Sequence, residues 1–327
     1  DLFSGMPILG TFTSRGEQCF HGILDDLKEE CDRLDPDAWI GPVCDWRTVY
    51  GLCVDPEILR LAVYALLKRY KVKLLLNAMI VSAECQNGVL KSVTVKTRNR
   101  LSTIECACAV DATGGGYLTR LCGGEVLFGS EKSEFQPVSL VFRMGGVGYN
   151  AFLSHFREHP EDAILCENPV LPSDRKEAAE KLYAAGLPYV AVPSTSSLLG
   201  PYLQSGELHP CTAAFVTPTS RLRGEVCINV TRIAPLDCSD DFAVSNSLPV
   251  LSEQVANSVR LFRKVLPGFE RSSVSSIMFK TGIRESGRIV GEYVMTQNDV
   301  VDAVRFPDAV ARGSHHVDIH GEGTRQV

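Results

Sequence analysis

The stretch Cys108-Ala-Val-Asp-Ala-Thr-Gly-Gly-Gly-Tyr-Leu-Thr-Arg-Leu-Cys-Gly-Gly124 constrains this chain more than any other. A short apolar run, Ala107 to Val110, reads as a buried strand, and Asp111-Ala-Thr-Gly114 ends it at a turn. Three successive glycines, Gly114 to Gly116, let a backbone approach something bulky, because no Cβ stands in the way. Tyr117 to Cys122 suits a helix that Gly123-Gly124 stops. A strand, a small-residue turn and a helix N-terminus offer amides to an anion or to the edge of a nucleotide. An ordinary Gly-rich strand-to-helix link fits the same residues.

The chain around it is long enough for two domains: 327 residues, 45% hydrophobic and 22% charged. A net charge of -6 with scattered Lys and Arg excludes nucleic acid as the main partner and leaves no polybasic membrane patch. No apolar run reaches membrane-spanning length. Twelve cysteines without any C-x-x-C read as reduced, mostly buried thiols, which places the chain in a reducing, cytoplasmic compartment.

Periodicity predicts an amphipathic helix from Phe20 to Leu34 and a loop from Asp35 to Asp45. A second helix should follow, capped by Asp55-Pro56-Glu57 and running to about Tyr70. Val72 to Leu76 reads as a strand. Ile80 to Cys85 and Val89 to Lys96 flank Asn87-Gly88, a hairpin signal, and a strand from about Ser102 completes an antiparallel meander. These elements predict a parallel sheet decorated with a small antiparallel layer. From about Gln136 the pattern changes to an α+β one. Strands are expected at Val138–Met144, 190–192, 213–216, 225–233, 273–281 and 289–295, and helices at 150–158, 174–184 and within 240–266.

Three clusters compete as sites. Gly146-x-Gly148-x-x-Ala151 meets the relaxed dinucleotide pattern, but the Pro-containing segment behind it lacks a βαβ unit with an acid for the ribose. His315-His316-x-Asp318-x-His320 holds enough ligands for a metal, or for a flavin or substrate pocket; no resident metal is expected. Arg284-Glu285-x-x-Arg288 puts two guanidinium groups beside a carboxylate, which suits a planar anion or a structural ion-pair network.

The stretch Thr281-Gly-Ile-Arg-Glu-Ser-Gly-Arg-Ile-Val-Gly-Glu-Tyr-Val-Met-Thr296, with Arg305-Phe-Pro-Asp-Ala-Val-Ala-Arg-Gly313 and Val317-Asp-Ile-His320, resembles FAD-dependent oxidoreductases. These are distant relatives of the fumarate reductase and succinate dehydrogenase flavoproteins. Ser4-Gly-Met-Pro7, Tyr50, Pro56-Glu57, Val110-Asp-Ala-Thr-Gly114 and Gln136-Pro-Val-Ser-Leu-Val-Phe-Arg-Met144 follow the family's order. The resemblance implies an α/β chain. Residues 1–135 would form a partial, Rossmann-like FAD-binding domain of glutathione-reductase type, with the meander. Residues 136–280 would be an α+β substrate domain, and 281–327 would return towards the FAD domain.

It further implies FAD as cofactor and hydride transfer to or from a small, anionic organic substrate. Ala112, Thr113 and Gly114 would lie against the adenosine and pyrophosphate, with the backbone at Val81 against the adenine. Ser4 and Gly5 would lie near the flavin end, and Gln136 near the isoalloxazine. Arg284 and Arg288 would face the substrate anion or the flavin charge, and His316 and His320 would be proton donors. Relatives open with a G-x-G-x-x-G turn and close with a further segment on the flavin. Neither is in this sequence, which therefore reads as the central portion, a fragment, of a flavoprotein. The alternative is a non-catalytic remnant, or a module whose FAD site a partner chain completes. An exposed sheet edge would then favour self-association.

Overall fold

The computed structural model describes residues 10–130 and 134–319. It opens with a helix pair laid on a two-stranded ribbon: α1 (Ile23–Leu34), β1 (Trp39–Cys44), β2 (Tyr50–Val54) and α2 (Pro56–Arg69). The Asp55 carboxylate accepts the Glu57 amide at 3.0 Å and Pro56 fills the first helical position, as the sequence predicts. Leu59, Ala62 and Leu66 of α2 then bury against Leu27 and Cys31 of α1. The loop expected over 35–45 contains β1 instead. Gly41-Pro42 hides it, because that pair breaks the strand period and sits in a bulge between Ile40 and Val43.

The meander follows as expected: β3 (Met79–Gln86), β4 (Val89–Lys96) and β5 (Leu101–Glu105). Asn87 and Gly88 turn the hairpin with φ of 52° and 76°, both positive as a type I′ turn requires. Of the strand expected at 289–295 only Ile289 is paired, at the end of a strand over 287–289, and two other expected strands do not form at all. Residues 72–76 and 107–110 join no ladder; Leu74 and Leu75 are each 50% exposed, and Val110 is 90% exposed. A short apolar run becomes a strand only when another strand satisfies its amides and carbonyls, and no described strand runs alongside either segment. All ladders among the described residues are antiparallel, so the parallel sheet of the sequence reading is replaced by a mixed helix-and-sheet fold with antiparallel sheets.

Past the glycines come α3 (Tyr117–Leu121), β6 (Val126–Phe128), β7 (Phe142–Gly145), α4 (Tyr149–Glu158), α5 (Arg175–Ala185) and β8 (Val190–Pro193). They are followed by α6 (Gly200–Ser205), β9 (Ala213–Ser220), β10 (Glu225–Asn229) and α7 (Asp241–Val265). The last elements are β11 (Ser273–Ile277), β12 (Gly287–Ile289) and α8 (Gln297–Val301). Five strands make one sheet in the order β11-β7-β10-β9-β8. Its apolar face closes on Phe152, Phe156, Phe262 and Phe269, all fully buried, with ring centroids of Phe152–Phe156 at 4.9 Å and Phe152–Phe269 at 5.1 Å. Gly148, from the relaxed dinucleotide pattern, donates its amide to Gly268 O at 2.8 Å and opens α4 against that loop. That glycine serves chain-to-chain packing.

Charges tie this sheet to α2. Arg143 donates to Glu225 at 3.0 Å and to Glu57 at 2.7 Å, while Arg223 reaches Asp55 at 2.7 Å and Glu225 at 3.2 Å. Arg143 and Glu225 are buried, so each needs the other to offset lost hydration. No described helix is long and apolar enough to cross a membrane.

Candidate functional site

The Gly-rich turn is held by its own aspartate. The Asp111 carboxylate accepts the amide and hydroxyl of Thr113 at 3.1 and 2.7 Å, and the amide and hydroxyl of Thr119 at 2.9 Å each. The Thr113 hydroxyl in turn accepts the Tyr117 amide at 2.9 Å. Slight burial would raise the Asp111 carboxyl, but these donors outweigh it and hold it down at about 2. The anion that the sequence places at the start of this helix is thus the chain's own Asp111. Ala112, Thr113 and Gly114 remain exposed as a backbone ledge. Gly114 sits at φ 83° with no atom within 4 Å of where a Cβ would stand.

The chain crosses this ledge again 172 residues later, where the Ser286 hydroxyl donates to Gly114 O at 3.1 Å. A Cβ on Gly287 would stand 2.2 Å from Gly115 O, so only glycine permits the crossing. The two stretches that the sequence singles out are therefore in direct contact. Arg288, on β12, donates to Glu285 and to Gly129 O, which anchors β12 beside β6. Gln136 gives its amide to the other Glu285 oxygen at 3.3 Å. Val81 lies in a bulge of β3, between the paired residues Ile80 and Ser82.

Arg284, at most about 7 Å of chain from Ser286, lines an open cleft. The cleft's other walls include Pro137, Ser139, Thr212, Phe215, Thr231 and Arg232. Local structure places both arginines. Gly282 pairs with Ser139 in both directions, at 2.8 and 3.2 Å, which sets the segment leading into Arg284. The side-chain amide of Gln254 on α7 accepts the Arg232 amide at 2.8 Å and donates to its carbonyl at 2.9 Å. The Thr231 hydroxyl closes on Leu140 N and O at 2.6 and 3.0 Å. Partial burial, then the Arg284 charge, lower the Arg232 pKa. Arg284 keeps much of its side chain in solvent, yet the protein crowded round its guanidinium disfavours the charge, and Asp318 pulls the other way. Two guanidinium groups lining one cleft could hold an anion.

Asp318 belongs to a second cluster at the rim. Donor atoms of His315, His316 and Asp318 lie within 4.8 Å of one another. His315 Nδ1 donates to His316 O at 2.7 Å, which fixes the proton on that nitrogen. Ser314 ties the segment down by donating to Phe12 O. Burial and His315 lower the His316 pKa, Asp318 and Asp45 raise it, and Arg47 lowers it. Arg47 in turn stands over the Phe215 ring at 5.3 Å, against the wall of the cleft. The three donors could reach one cation, and the nearby Arg47 is itself paired with Asp45 at 3.5 Å and Glu167 at 3.6 Å.

A family model described as FAD dependent oxidoreductase matches residues 4–326. The chain belongs to that family. FAD is therefore the cofactor of this oxidoreductase. No curated protein matches it. The ledge at 112–114 fits such a cofactor: it is open, exposed backbone that carries no clashing side chain and is held rigid from behind by Asp111. Of the residues that the sequence assigns to this FAD-dependent oxidoreductase, Ala112, Thr113 and Gly114 share the ledge. Gln136 donates to Glu285, the residue after Arg284, and Pro137, the residue after Gln136, lines the cleft with Arg284; His316 is not in the lining, and Asp318 acts on both it and Arg284. Val81 and Arg288 stand outside the cleft. Ser4, Gly5 and His320 lie outside the described residues. Arg232 and Arg47 escape the sequence reading, because a single arginine after a strand or in a turn carries no spacing signal.

Proposed function

We propose that this flavoprotein oxidises or reduces a small organic anion whose charged group sits between Arg232 and Arg284. The pair of guanidinium groups in one cleft carries this reading. The FAD nucleotide would rest on Ala112–Gly114, with the backbone at Val81 beside the adenine and Gln136 towards the flavin end. When bound, FAD supplies the electron chemistry, as acceptor or donor of a hydride.

The chain's own residues do the rest. Arg284 and Arg232 bind the anion and orient the carbon that reacts; Phe215 and Pro137 narrow the space left for water. The His316 imidazole holds the proton that the substrate gains or loses; burial and His315 lower its pKa and so ease release of that proton, against the opposing pull of Asp318. Arg288 acts through the strand it anchors. This reading includes distant kinship with fumarate reductase and succinate dehydrogenase flavoproteins, a Rossmann-like FAD domain before residue 136 and a cytoplasmic home consistent with twelve free thiols.

Absorption spectra before and after incubation with excess FAD and desalting test the cofactor half. A retained flavin band is expected, weakened by Gly114→Val. Thermal shift with small mono- and dicarboxylates tests the anion half. Stabilisation should vanish in Arg284→Ala and fall in Arg232→Ala, and an unchanged response in both would sink it. A second reading rests on the exposed Leu74, Leu75, Leu76 and Val110. That surface would be covered by another chain, which completes the flavin site. Colourless protein that self-associates in light scattering, and turns yellow only as the assembly, would favour it.

A further inference from the structure

All twelve cysteines are free, and six of them are buried in the cores. Three others gather at one end of the meander. Cys85 lies opposite Leu90 across β3 and β4. The Cys106 amide donates to Lys91 O at 3.1 Å, so Cys106 flanks β4 on its other side at nearly the same level. Cys122 caps the C-terminal end of α3, which packs on β3, the strand that carries Cys85. Cys85 is exposed, while Cys106 and Cys122 are half-buried.

We propose that Cys85 and Cys122 form a reversible disulfide, closed by hydrogen peroxide, that staples β3 to α3. The backbone decides which pair forms. β3 and β5 are separated by β4, about 9.5 Å in all, which is beyond the reach of a disulfide between Cys85 and Cys106. No strand intervenes between Cys85 and Cys122, because α3 packs directly on β3. Partial burial and the Cys85 thiol push Cys122 up to about 11, so Cys122 keeps its proton and the exposed Cys85 meets the oxidant first. The Cys85 thiolate attacks one peroxide oxygen. An S–O bond forms, the O–O bond breaks, and the departing hydroxide takes a proton to leave as water. Cys122 sulfur, losing its proton, then attacks the sulfenic acid; the S–S bond forms and a second water leaves. The two sulfurs lose two electrons and the peroxide gains them. A dithiol reverses the step by exchange.

The staple joins the strand bearing Val81 to the helix that follows the 112–114 ledge. On the FAD reading above, on which this consequence alone rests, it fixes the two walls of the nucleotide site and slows release of FAD.

Peptide mapping without reduction tests the pair. The folded chain is treated with peroxide, alkylated and digested. The expected product is one linked pair, Cys85 with Cys122, two hydrogens lighter than its separate peptides and lost on dithiothreitol. Cys85→Ser and Cys122→Ser should each abolish it and leave the partner alkylated; Cys106→Ser should not. Alkylation of both sulfurs after peroxide, a bond from Cys106 to either, or linkage only between chains overturns the proposal. Wild-type mapping decides the matter even if a serine variant fails to fold. FAD release is then compared in oxidised and reduced protein. Equal rates with the link present would overturn the clamp and leave the pair; protein without FAD would count against the cofactor reading, and the map would still judge the pair.

Discussion

The five-stranded sheet and the meander corner are built from similar strands but end in different states. The sheet covers its apolar face with α4, α5 and α7, and Phe152, Phe156, Leu182, Leu251 and Phe262 are sealed inside. The meander is paired strand to strand, yet Met79, Leu101 and Ile104 on it, and Leu74 to Leu76 before it, stay 42–61% exposed. Within their strands both regions pair the backbone, but only the sheet buries its apolar side chains. A region that has made its hydrogen bonds but kept apolar surface is shaped for contact with something else. The candidate ledge leads into α3, which packs on β3 of that region, whereas the cleft of Arg232 and Arg284 is walled by β9 and by the segments 137–139 and 229–232.

Truncation should expose the contrast most strongly. Phe152→Ala should cost about 3–5 kcal/mol of unfolding free energy, and Ile104→Ala less than about 1, by urea titration of each variant. Similar losses would mean that the meander core is as closed as the sheet. Next in size is the junction: Glu225→Ala takes the buried partner from Arg143 and leaves it only the half-exposed Glu57, which should cost about 3 kcal/mol, whereas removing Glu57 should cost far less.

Asp111→Ala comes third, at about 1 kcal/mol for a lost cap, and should loosen the ledge more than the whole fold. Hydrogen exchange at the Thr119 amide should speed up in this variant while the sheet stays protected. Acid gives the smallest effect. The folded Asp111 carboxyl titrates at about 2, below its ordinary 3.8, so its contribution is complete above about pH 4 and fades as pH falls towards 2. Asp162, in the sheet region, shifts in the same direction: burial raises it, but Ser197 and His155 outweigh that. A carboxyl titration by NMR in which Asp111 behaves like a free aspartate would remove the ledge's anchor from the account.

What was legible in the sequence follows the same division. Local rules succeeded where the cause is local: Asn87-Gly88 turned its hairpin, and Asp55-Pro56-Glu57 started α2. They failed where a partner decides the outcome. Residues 72–76 and 107–110 have the composition of strands but no neighbour to pair with, and β1 pairs in spite of Gly41-Pro42 because β2 lies beside it. At the site, the Asp-Ala-Thr-Gly turn and Arg284 were visible as motifs. The use of Asp111 as the occupant of its own turn was not, because that depends on where Thr119 points. Arg232 was hidden for a similar reason: the amide of Gln254, 22 residues on, holds its backbone.

The crossing of Gly287 over Gly115 also bears on the order in which the molecule can be made. A chain emerging from N- to C-terminus delivers the glycine turn early, but the strand that locks it arrives 172 residues later. Through that interval the sheet from β7 to β11 has all its strands and can seal, while the ledge waits without its clasp. The candidate ledge is then closed only after the sheet, and a nascent chain arrested short of Ser286 would hold a finished sheet beside an open turn.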